Sequence, residues 1–146
     1  MNRRAFVLSC FAWPLFAFNE GYWKYRGEAV LAKEEVYKIT LKLGAMTKDI
    51  EFRWTLYKNE GLVVHLRYDA FPHQFVLYRN YQKNRFRLPL FAHEQMRTEE
   101  PFLQLSFFEF NRQTKLATLR FMIHPSDRDL SLIYQGKAKS FGFGTY

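Results

Sequence analysis

The chain has 146 residues, a formal net charge of +8, 48% hydrophobic side chains with 16 Phe, 9 Tyr and 3 Trp, and a single Cys. So large an apolar share excludes the disordered class, and the length suits one domain with a substantial core. One Cys excludes an intramolecular disulfide, so packing has to supply the stability, while the charge favours polyanionic partners such as anionic headgroups, acidic protein faces or nucleic acid.

The chain begins MNRRAFVLSCFAWPLFA. Arg3 and Arg4 form a positive start, Ala5 to Phe16 an apolar run, and Ala17 a small last residue, the order of a secretory signal peptide. The run is shorter than the roughly 20 residues that span a bilayer, and Pro14 would kink a spanning helix. Residues 1–17 are therefore expected to act as a signal segment, cleaved near Phe18 or retained as a membrane anchor. Residues 18–146 are expected to form a single all-β domain. Arg3, Arg4 and Phe6 resemble the twin-arginine export motif, although Val7 and Asn2 depart from it, and Val7 to Cys10 loosely resembles a lipobox. The apolar run without Gly fits the general secretory route better. Arg3 and Arg4 are the only cations before residue 18, so the basic character belongs to the body of the chain.

Residues 28–35, EAVLAKEE, have helical composition, while the preceding GYWKYRG reads as a strand. From residue 36 the apolar positions alternate. Tyr37, Ile39, Leu41 and Leu43 share one side, and so do Ile50, Phe52, Trp54 and Leu56. KNEG, residues 58–61, supplies a turn, after which Leu62, Val64, Leu66 and Tyr68 return. This hairpin predicts Trp54, Leu56, Val64 and Leu66 on the buried face, with Arg53, Thr55, His65 and Arg67 on the other. Further strands are expected over 74–79, 85–91, 102–110, 116–123 and 130–134, separated by segments with turn residues or charge. The tail from Gly136 reads as an extended or mobile end. The pattern predicts an all-β fold, an antiparallel β-sandwich or a small up-and-down β-barrel of about 7–9 strands behind the N-terminal hydrophobic segment.

Few motifs speak for chemistry. His65, His73, His93 and His124 stand at no recognised ligand spacing, HExxH and CxxC are absent, and the single Cys lies in the leader. No GxSxG or glycine-rich phosphate loop occurs, and the loop residues Asp69, His73, Glu94, Glu99 and Glu100 have no spacing that fixes an acid–base pair. No catalytic, cofactor or metal residue is predicted. The distinctive segment is YRNYQKNRFR, residues 78–87, where Arg79, Lys83, Arg85 and Arg87 alternate with rings that include Tyr78 and Tyr81. Cations among rings suit anionic headgroups or single-stranded nucleic acid. A second set, Trp54, Phe107, Phe108, Phe110 and Phe121, would line an apolar cavity if the strands closed into a barrel.

These features favour an exported, non-enzymatic binding or assembly module of a bacterial cell envelope, periplasmic or membrane-associated, with an envelope protein or an anionic envelope surface as partner. A β-barrel carrier of a small hydrophobic ligand is the first alternative. A nucleic-acid-binding module is the second, should the leader not direct export.

Overall fold

A computed structural model describes residues 25–79, 83–91, 101–124 and 130–138. The leader, Tyr81, His93 and the end of the chain beyond residue 138 lie outside the described residues. In chain order the strands are β1 (Tyr25–Leu31), β2 (Val36–Leu43), β3 (Met46–Lys58), β4 (Gly61–Tyr68), β5 (Phe71–Tyr78), β6 (Arg85–Pro89), β7 (Phe102–Asn111), β8 (Leu116–His124) and β9 (Leu130–Ala138). They form two antiparallel sheets, one of order β1-β8-β7-β6 and one of order β5-β4-β3-β2-β9. The described residues contain no helix.

The two sheets face one another in a sandwich-like arrangement because each strand carries one apolar row. Phe52, Leu66, Leu105 and Phe121 are among the side chains fully enclosed between them. At one seam Phe75 of β5 stacks on Phe86 of β6, with ring centroids 3.9 Å apart and planes 10° apart. At the other, Tyr25 of β1 donates its hydroxyl hydrogen bond to the Leu130 carbonyl of β9 at 3.2 Å.

The helical composition of residues 28–35 does not become a helix. Residues 28–31 continue β1, which pairs with β8 and buries Ala29 and Leu31. The ladder and the buried face outweigh an intrinsic helix preference of a few tenths of a kcal/mol per residue. Gly27, in the same edge strand, sits beneath the Phe121 ring, and a Cβ built there would lie 2.4 Å from that ring. The aromatic ring thus covers the gap that a strand glycine leaves.

The predicted hairpin forms, with one change of phase. Trp54 pairs with Val64 but Leu56 pairs with Val63, so Thr55 is an extra residue in β3. Such a bulge shifts every following side chain by one position. Leu56, expected inward with Trp54, is instead 51% exposed. Tyr57 takes the inward place and packs against the core. The tip is a two-residue loop, Asn59 and Glu60, with φ of 52° and 62°. That left-handed geometry matches the twist of the flanking strands.

The expected separator at 69–73 is shorter than its composition implies. Only Asp69 and Ala70 turn the chain, and Pro72 lies within β5 opposite Arg67. An edge strand accommodates this proline because one side of its backbone lacks a partner strand. At the C-terminal end β9 extends past Tyr134 to Ala138.

Candidate functional site

Successive turns of an antiparallel meander alternate between its two ends, so the β3–β4 and β7–β8 hairpins lie at the same end of the sandwich. Between them, and beside Lys33 of the β1–β2 connection, runs an open groove of about 680 Å³. Its floor is aromatic. Trp54 is pinned by an indole N–H donated to the Leu31 carbonyl at 2.8 Å. The Phe110 ring meets Trp54 edge-on at 5.6 Å and stacks on Tyr57 at 4.0 Å with 22° between planes. The bulge at Thr55 places Tyr57 in this stack.

Lysine and arginine surround the floor. Lys33, Lys58, Arg112 and Lys115 line the groove, and Glu60 is the one carboxylate among its lining residues. Glu60 is engaged, accepting from the Tyr57 hydroxyl at 2.8 Å and from Arg112 Nη2 at 2.6 Å. The Tyr57 hydrogen bond, with the Arg112 and Arg79 charges behind it, holds the Glu60 carboxyl below its usual range. Desolvation, then the hydrogen bond to Glu60, raises the Tyr57 phenol, so it remains a donor. Lys33, Lys58 and Lys115 are exposed and make no ion pair among the described residues.

The predicted cation segment divides. Tyr78 is half-buried with its ring on Gly61, and its backbone N–H donates to the Lys83 carbonyl at 3.0 Å. This brings the β5–β6 connection, with exposed Arg79 and Lys83, to the same end as the groove. Arg85 is exposed at the start of β6. Arg87 lies farther along the outer face of the four-stranded sheet, donating to Gln104 at 3.1 Å with its guanidinium 5.1 Å from the Phe102 ring centre.

The five rings proposed to line a cavity do not share one. Trp54 and Phe110 line the groove, while Phe107 and Phe121 are packed in the core. Phe108 projects from a second bulge in β7 onto the outer face, where the Arg120 guanidinium lies 3.3 Å from its ring centre. Lys33, Lys58, Arg112 and Lys115 were not singled out from the sequence. Their only signal is position, each lying in or beside a turn at one end.

A polar stripe covers the outer face of the five-stranded sheet, where Glu34 pairs with Arg53 at 2.9 Å and Glu51 with Arg67 at 2.8 Å. His65 Nε2 lies 3.0 Å from the Thr55 hydroxyl, a distance within reach for a base and a nucleophile. Burial, then the Arg53 charge, lowers the His65 pKa, with Glu34 opposing. This disfavours the imidazolium that a general base must form. Gln74 stands opposite His65 on β5.

Because the folded value lies below the ordinary 6.5, the neutral ring stabilises the fold fully above that pH. The contribution declines as pH falls through the folded value. His65→Gln is expected to flatten the fall in urea midpoint between pH 7.5 and 5, and an unchanged slope would show that His65 is not responsible.

Among the described residues no group of three or more His, Cys, Asp or Glu side chains gathers as metal ligands would. Comparison with protein families, curated proteins and solved structures returned no match.

Proposed function

We propose that the chain is a non-enzymatic binding module, exported by its first 17 residues, that meets an anionic envelope surface with the basic end of its β-sandwich. The observation that carries this reading is the convergence of cations from separate connections. Lys58, Arg79 with Lys83, and Arg112 with Lys115 come from three turns at one end, with Lys33 beside them. Each Lys or Arg near an anionic bilayer contributes about 1 kcal/mol of attraction, within a Debye length of about 8–10 Å. Exposed Leu56 beside these cations suits the interface, where apolar groups sit below the headgroups.

The interior supports docking from outside over carriage within. Phe52, Phe121 and the leucines around them fill the space that a barrel carrier would leave for cargo. The arrangement is read as a sandwich on that ground.

The test is co-sedimentation of the chain with phosphatidylglycerol and phosphatidylcholine vesicles across a salt series. Binding is expected to phosphatidylglycerol alone, to weaken with salt, and to fall when Arg79, Lys83, Arg85 and Arg87 are all changed to Ser. Equal binding by parent and variant would remove this segment, and a parent that ignores both vesicles would reject the surface. Preference for single-stranded DNA would transfer the basic end to a nucleic-acid partner.

A further inference from the structure

We propose that the groove floored by Trp54, Tyr57 and Phe110 is a binding site for a small organic acid, a flat apolar body carrying one anionic group. This rests on the reading of the basic end as the binding surface, and it names the chemistry recognised there. The volume of about 680 Å³ lies within the roughly 300–1,000 Å³ of small-molecule sites.

The floor is organised before any ligand arrives. Trp54 is fixed by the Leu31 carbonyl, Tyr57 by Glu60, and Phe110 by both rings. Trp54 is itself buried, so a ligand rests against the half-buried Tyr57 and Phe110, and with those rings already fixed it loses little to ordering of the protein. The charges set its sign. Arg112 is already neutralised by Glu60, whereas Lys33, Lys58 and Lys115 have no carboxylate partner among the described residues. An acid brings the opposite charge to a groove lined by these three cations, which an uncharged ligand does not. The three lysines are also reached from solvent, so the acidic group need not be desolvated to meet them.

The probe is 1-anilinonaphthalene-8-sulfonate, an arene with one sulfonate, titrated into the full chain beside its uncharged analogue N-phenyl-1-naphthylamine. A saturable, blue-shifted signal of one site per chain is expected from the sulfonate. Changing Lys33, Lys58 and Lys115 together to Ser should weaken the sulfonate about tenfold, the modest loss expected when exposed charges are removed. The neutral arene should respond equally to both proteins. The lysines are exposed, so thermal unfolding of the triple variant should match the parent and exclude misfolding as the cause. Non-saturable sulfonate binding, or equal affinity for both proteins, overturns the proposal. Binding to phosphatidylglycerol vesicles without sulfonate binding overturns the groove alone. Loss of both overturns the basic end as well. Sulfonate binding without vesicle binding supports the groove and makes its ligand a free small molecule.

Discussion

Phe121→Ala lowers the unfolding free energy by about 3–5 kcal/mol, and Gly27→Ala, harmful in the parent, becomes neutral or favourable once the ring is gone. Phe121 is fully buried and lies 5.7 Å from the Tyr37 ring, so its loss opens a cavity in the middle of the core. A new Cβ at Gly27 would lie 2.4 Å from the ring of this fully buried side chain, so ring or backbone must shift. With Ala at 121 that contact disappears, and replacing a strand glycine regains about 0.5–1 kcal/mol of backbone entropy. Urea denaturation of the two single variants and the double supplies the measurement. Additive losses would show that ring and glycine are not coupled.

Arg67→Met is the other large effect, a loss of about 1–3 kcal/mol, because it takes the guanidinium from the Glu51 carboxylate. That side chain is 8% exposed and its partner Nη2 lies 2.8 Å away. Lys38 stands opposite Glu51 in the ladder, but its amine pairs with Asp49 at 3.1 Å. The double variant Glu51→Leu, Arg67→Met removes both charges and should recover most of the loss, since an apolar pair of similar volume often replaces a buried ion pair without penalty. Comparing denaturant midpoints decides the matter. A single variant no less stable than the double would mean that Glu51 finds other compensation.

The hairpin around KNEG was legible because alternation over residues 49–57 and 62–68 leaves one side for a core. The bulge was not, since Leu56 continues the apolar row of Trp54 while Tyr57 offers an equally good inward ring. The choice is made by pairing across to Val63 and Leu62, which local sequence does not contain. Residues 28–35 misled for a related reason. Ala, Leu, Glu and Lys favour a helix in isolation, and only the neighbouring β8 makes a strand of them.

The candidate site divides the same way. Arg79 to Arg87 could be seen because the cations lie side by side in sequence, yet Arg87 turns out to engage Gln104 on the sheet face. Lys33 and Lys115 are far apart in the chain, and a shared groove unites them only once the order of the strands is known.

The extra residue at Thr55 divides β3 into two stretches answering to different demands. Ile50, Phe52 and Trp54 are held in register by the core, whereas Tyr57 and the tip beyond it are set by the offset that follows. Trp54 and Tyr57 stand three places apart, a spacing that would send them to opposite faces of a regular strand, and the inserted residue brings both to the same side. One strand thereby carries the buried row and, without leaving it, the rings that end it at the rim of the sandwich.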